Sequence, residues 1–185
     1  MGLTTINLTW PEYQLFPYER DLAVREAQAV LKPYGKLVEN GSVKLRTRTP
    51  ALATRLTYFK SVMQGGDVIP TTQGLLERGV LGEDDSQRRQ ATRYSVHGLH
   101  EYKGKFNPQV AKAVINYLGL SRGRVLDPFC GSGTTPVESA HAGVTAFGCD
   151  INPLAVFIAN TKLAALGIPA SELQDAVKAC HPLSN

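Results

Sequence analysis

Asp127-Pro128-Phe129-Cys130-Gly131-Ser132-Gly133-Thr134-Thr135 joins a short apolar run to a helix-like one, and a junction of that kind has a chemical use. Its glycines let the backbone pass close to a ligand. The N-terminus of the helix that follows offers unpaired N–H groups to a carboxylate or phosphate. Asp150 stands 23 residues after Asp127 and closes the next apolar run, where an acid accepts hydrogen bonds from ribose hydroxyls. The combination predicts a nucleoside-containing cofactor. A dinucleotide fingerprint would need glycine where Pro136 stands, and a phosphate-binding P-loop would need a lysine that does not follow Gly133. S-adenosylmethionine fits what remains. Asp150 would take its ribose and Asp127 its ammonium. The loop N–H groups, with the Ser132 and Thr134 hydroxyls, would take its carboxylate.

Those residues must be held by particular elements. Arg124–Phe129 reads as a buried strand, about Thr134–Ala142 as a helix, and Thr145–Cys149 as a second strand. Asn152-Pro153 opens a further helix. This order is a βαβ unit, whose strands pair in parallel. Just upstream, Asn107 caps a helix with Pro108 at its first position, and Val110, Val114 and Tyr117 fall along one side. The first half reads as a small mixed α/β region. Glu19–Leu31 is a helix with Ala23, Ala27, Val30 and Leu31 on one face, and Pro33 stops it. Lys36–Glu39 and Ser42–Thr47 flank Asn40-Gly41, a hairpin signal. Leu52, Leu56, Phe59 and Met63 recur at helical spacing after Pro50. Gly79–Arg93 reads as a linker or a mobile loop, at the end of an N-terminal extension of residues 1–93 that precedes a cofactor-binding part over 94–185.

Length and composition bound the function. The chain has 185 residues, 43% of them hydrophobic, which excludes disorder throughout. No run of about 20 apolar residues is present, and the first residues lack a secretory pattern. The three cysteines form no CxxC pair, so a reduced, cytoplasmic setting is expected. Twenty Lys+Arg against 16 Asp+Glu make the chain mildly basic. Residues 41–66 hold Lys44, Arg46, Arg48, Arg55 and Lys60 with no acid. That stripe faces phosphate in one reading and only solvent in the other. His97 and His100 are spaced as metal ligands on a helix face, but no third ligand is near in sequence, so no metal is expected and His97 reads as a surface residue. Cys130 has no partnered base and reads as a small residue lining the cofactor.

The Asp127–Thr135 segment resembles the cofactor motif of DNA methyltransferases that modify exocyclic amino groups, the cytosine-N4 and adenine-N6 class. Gly148-x-Asp150-Ile151-Asn152-Pro153-Leu154-Ala155 resembles that family's second motif. His100-x-Tyr102-x-x-Lys105-Phe106-x-Pro108 resembles the segment over the methionine end of the cofactor, though Tyr102 and Phe106 also suit a core. The resemblance covers about residues 94–165. It implies a Rossmann-like, S-adenosylmethionine-dependent α/β fold of which this chain holds an incomplete part, the first βαβ unit. It implies DNA as the substrate, a restriction–modification setting, and cofactor contacts from the three segments. It further implies a catalytic motif of Asp, Asn or Ser, then Pro-Pro, then an aromatic residue. No Pro-Pro dipeptide occurs here, and Leu15-Phe16-Pro17-Tyr18 is only an echo of that motif. The expectation is therefore a split or truncated enzyme, inactive alone, whose catalytic part comes from a complementary chain or a missing C-terminal half. Competing expectations are a fragment of a transfer-RNA guanine-N2 methyltransferase, whose loop is similar, and a non-catalytic module that binds nucleic acid or a protein partner.

Overall fold

A computed structural model describes residues 2–35, 38–39, 41–81, 90–120 and 123–180. Alternation of apolar and polar residues builds its first layer. In β1 (Thr4–Thr9), Ile6 and Leu8 are buried while Thr5 is exposed. In β3 (Ser42–Thr47), Val43 and Leu45 are buried while Lys44 and Arg46 are exposed. With β2 (Val38–Glu39), β4 (Ser61–Gln64) and β5 (Asp67–Pro70) these strands form an antiparallel sheet in the order β2-β3-β1-β4-β5. Helix α1 (Pro17–Leu31) lays Ala23, Ala27 and Leu31 on the apolar face. Each large aliphatic side chain buried there contributes about 1.5–3 kcal/mol. The Glu19 carboxylate accepts from the Phe16 N–H at 2.9 Å, closing the first turn of α1.

Two expectations for this half change. The helical spacing after Pro50 yields only a 3₁₀ turn, Pro50–Arg55, because Leu56 is extended (φ −62°, ψ 145°) and ends it. Leu56 and Phe59 still enter the core, from irregular chain, while Met63 lies in β4. Gly65 and Gly66, both at positive φ, turn β4 into β5. The supposed linker begins inside α2 (Thr72–Leu81), where the Thr71 hydroxyl accepts from the Gly74 N–H at 3.0 Å. Its far end is tied down, since the Gln109 amide donates to the Ala91 carbonyl at 2.7 Å. Residues 82–89 lie outside the described residues, as does Asn40 of the hairpin signal.

The two halves are joined through α3 (Pro108–Tyr117). Asn107 caps it as expected, its side chain accepting from the Gln109 N–H at 3.0 Å. The buried side is not that of Val114 and Tyr117, which are exposed, but that of Ala111, Ala113, Ile115 and Asn116. Ala113 completes the N-terminal core, and Asn116 donates to Glu26 of α1 at 2.7 Å. Glu26 is fully buried and also accepts from the Thr57 N–H and hydroxyl. Burial pushes its carboxyl up to about 7, against the pull of the Asn116 and Thr57 donors.

A raised acid holds, in the folded chain, a proton that the unfolded chain gives up. Stability is therefore expected to fall as pH rises from about 4.5 to about 7. Glu26→Gln should flatten part of that decline in a melting-temperature series. Burial raises Glu77 in the same direction, so some slope should persist. A variant whose slope matches the parent across this window would refute the assignment.

Beyond α3, β6 (Arg124–Asp127) and β7 (Thr145–Gly148) pair in parallel, with α4 (Thr134–His141) between them in sequence. Helices α5 (Pro153–Leu166) and α6 (Ala170–Cys180) follow. The expected strand is present but shorter, and it is not buried. Leu126 is 67% exposed, because β6 and β7 form a sheet of two strands with no further strand among the described residues to cover them. No single helix among the described residues is long and apolar enough to cross a membrane.

Candidate cofactor site

The glycine loop is built by the parallel ladder and the helix after it. The ladder continues past β6, where the Cys149 N–H donates to the Asp127 carbonyl and the Cys130 N–H to the Cys149 carbonyl, each at 2.9 Å. The chain then turns sharply through Gly131 (φ 52°) and Gly133 (φ 83°), in a region of backbone conformation that favours glycine. Gly133 caps α4 and lies against α5, so a Cβ there would stand 2.7 Å from the Ala159 Cβ. Gly148 is equally tight against Cys130.

Around this loop lies a cavity of about 450 Å³, within the range of small-molecule sites. It gathers Tyr102, Lys105 and Phe106 from the segment before α3, Asp127 and Phe129 from the end of β6, and Cys130, Gly131, Ser132, Thr134 and Thr135 from the loop. The Tyr102 ring rests on Gly131, where an added Cβ would be 3.6 Å from it. Phe106 is more than half exposed, so its ring is not a core side chain.

The remaining predicted residues stand around the cavity without lining it. Pro128 and Ile151 are exposed. Asn152 caps α5, accepting from the Leu154 N–H at 3.0 Å. His100 borders a separate cavity of about 280 Å³ with Arg93 and Glu101. Phe16 and Tyr18, of the motif echo, stack on each other at 5.9 Å at the start of α1 and line no part of this cavity.

Carboxylates organise the site. One Asp150 oxygen accepts from the Gly131 N–H and the other from the Asn152 N–H, both at 2.9 Å. The acid thus ties β7 to the glycine loop, and each oxygen keeps a second lone pair. One Asp127 oxygen accepts from the Phe129 N–H at 3.1 Å, leaving the other facing no partner among the described residues. The Cys130 thiol is pushed up by burial and by the Asp127 and Asp150 charges, which leaves it a poor nucleophile.

Two lysines stand at the site, and sequence reasoning anticipated only one. Lys105 donates to the Thr92 carbonyl at 2.6 Å, and burial together with the Lys162 and Arg93 charges holds it down to about 8. Lys162, from α5, is buried and donates to both the carbonyl and the hydroxyl of Ser132 at 3.2 Å. Nothing local marked it, since a lone lysine in an apolar helix has no motif.

His97 corrects another expectation. It is fully buried, and its Nε2 lies 2.7 Å from a Glu138 oxygen that also accepts from the Tyr94 hydroxyl at 2.9 Å. His141 lies one turn further along α4, its Nδ1 3.5 Å from the same oxygen. The cluster locks residues 94–97 onto α4. The Glu138 carboxyl is held down to about 2 by His141 and His97 despite its burial.

Residues 82–161 match the family model for DNA methylases of the N6/N4 type. The type II methyltransferase M.MjaII of Methanocaldococcus jannaschii is 43% identical over 68 residues, 37% of this chain and 13% of that protein. The type II methyltransferase M.BsoBI of Geobacillus stearothermophilus is 33% identical over 91 residues, 49% of this chain and 18% of that protein. A tRNA (guanine(10)-N2)-dimethyltransferase of Methanothermobacter thermautotrophicus is 40% identical over 52 residues, 28% of this chain and 16% of that protein. The chain thus spans less than a fifth of the length of these relatives. Its matched segment, which holds the glycine loop and Asp150, is similar to DNA methylases of the N6/N4 amino type.

Proposed function

We propose that this chain is the S-adenosylmethionine-binding part of a DNA methyltransferase of Rossmann-like fold, acting on the exocyclic amino group of cytosine (N4) or adenine (N6). The observation that carries this reading is the cavity beneath the glycine loop, with an Asp127 oxygen free and Asp150 at the end of the neighbouring strand. The bound cofactor supplies a methyl group on a sulfonium centre. Asp127 receives the ammonium, and Asp150 uses its remaining lone pairs on the ribose hydroxyls while holding Gly131 in place. Tyr102 and Phe106 shield the pocket from water. Lys162 keeps the loop rigid from behind, so its N–H groups stay aimed at the carboxylate.

Base extrusion and acceptance of the amine's hydrogens belong to further polypeptide, either a complementary chain carrying the Pro-Pro motif or a continuation of this one. The exposed apolar surface supports that division. Phe129, Ile151, Phe147, Leu154 and Phe157 are all more than half exposed beside β6 and β7. Such a patch marks an interaction site, and a two-stranded sheet is marginal without one.

The test is tritiated methyl transfer to duplex DNA and to transfer RNA, with the complementing polypeptide added. Incorporation into DNA with both parts present, and none with this chain alone, is the expected result. The similarity to the transfer-RNA dimethyltransferase motivates the second arm. Label in transfer RNA alone would replace DNA by RNA as the substrate.

A further inference from the structure

The N-terminal sheet has a second face that the cofactor reading leaves unused. Residues directly opposite one another across an antiparallel pair share a face. The register pairs Thr5 with Arg46, Asn7 with Lys44 and with Met63, and Met63 with Val68, all away from the apolar face that packs on α1. Asp67, opposite Gln64, occupies the other register. Among the described side chains of these strands, the face therefore carries cations and no carboxylate.

Lys44 and Arg46 are exposed and have no ion pair or hydrogen bond from their side chains among the described residues. As alternate residues of one strand they project about 6.8 Å apart. Arg48 follows where β3 ends, its guanidinium 5.2 Å from the ring of Tyr34. Tyr34 is about half exposed, and its N–H donates to the Arg46 carbonyl at 2.8 Å, which fixes the ring beside the strand. By contrast, Lys60 of the same basic stretch is engaged by Glu12 at 2.8 Å and does not join this row.

We propose that this face binds duplex DNA through its phosphate backbone, with Lys44, Arg46 and Arg48 on phosphates and the Tyr34–Arg48 pair against a sugar edge. The chemistry of the face calls for a polyanion. The choice of DNA rests on the methyltransferase reading above. Unpaired, solvated cations suit such a partner, since engaging phosphate displaces condensed counterions and breaks no protein ion pair. The surface would hold substrate on a unit separate from the cofactor loop.

Fluorescence anisotropy of a labelled duplex against the full chain, across a salt series, tests this. The triple variant Lys44→Gln, Arg46→Gln, Arg48→Gln should lower affinity at low salt by at least roughly tenfold. It should also reduce the slope of log affinity against log salt by roughly 2 to 3, about 0.9 for each phosphate that is no longer neutralised. Lys178→Gln, on α6, should change neither. Calorimetry with S-adenosylmethionine on the triple variant separates the two proposals, because loss of the DNA face should leave cofactor heat unchanged. Three outcomes would each overturn the inference: no salt-dependent duplex binding by the parent, parental affinity and slope in the triple variant, or tighter binding of transfer RNA than of duplex through the same three residues.

Discussion

Asp150→Ala is expected to weaken binding of S-adenosylmethionine by roughly a hundredfold. The carboxylate accepts one N–H from Gly131 and one from Asn152, each at 2.9 Å. Hydrogen bonds to a charged group contribute about 1.5–3 kcal/mol each. Truncation leaves two backbone donors without a partner, one of them in a loop held at positive φ, and it also removes the acceptor proposed for the ribose. Loss of about 3 kcal/mol would weaken binding by roughly a hundredfold. Asp150→Asn keeps one acceptor oxygen and should fall between variant and parent. Isothermal calorimetry reads both. An alanine variant that binds within about threefold of the parent would remove Asp150 from the site.

Gly133→Ala should lower stability strongly. At φ 83° an L side chain is strained, and the added Cβ would stand 2.7 Å from the Ala159 Cβ and 3.0 Å from its Cα. The left-handed conformation costs about 1–2 kcal/mol, and forcing atoms into a filled contact costs about 1–3 kcal/mol more. A melting temperature lower by roughly 5–15 °C follows for a chain of this size. Ala159→Gly in the same chain should restore part of the loss by removing the Cβ–Cβ clash. The strain at φ and the approach to the Ala159 Cα would remain. If the single variant melts within about a degree of the parent, α4 and α5 do not meet at this glycine as described.

Both predictions concern residues that were legible in the sequence, because each acts through its neighbours along the chain. A strand, a glycine turn and a capped helix follow one another without interruption from Arg124 to His141, and Asp150 closes the next strand. Helices α1 and α3 were legible for the same reason. A Pro at the first or second position and a fixed apolar spacing are local signals. The false helix after Pro50 shows the limit of spacing alone. Leu56 and Phe59 are buried as a helical face would be, yet they reach the core from extended and irregular chain. Strand β1, and the short β4 and β5 around Gly65-Gly66, gave a weaker pattern than the sheet they form.

The sequence by itself determined the order of the elements around the loop, since that order depends on residue types a few positions apart. Tertiary structure alone decided three matters. His97 became a buried partner of Glu138, 41 residues away, and not a surface side chain. Lys162 became the support of Ser132 across 30 residues. Lys44 and Arg46 came to share one face, because strand register, which no single strand encodes, set Asp67 at the other register. Burial and register are properties of pairs distant in sequence, and only the folded chain brings those pairs together.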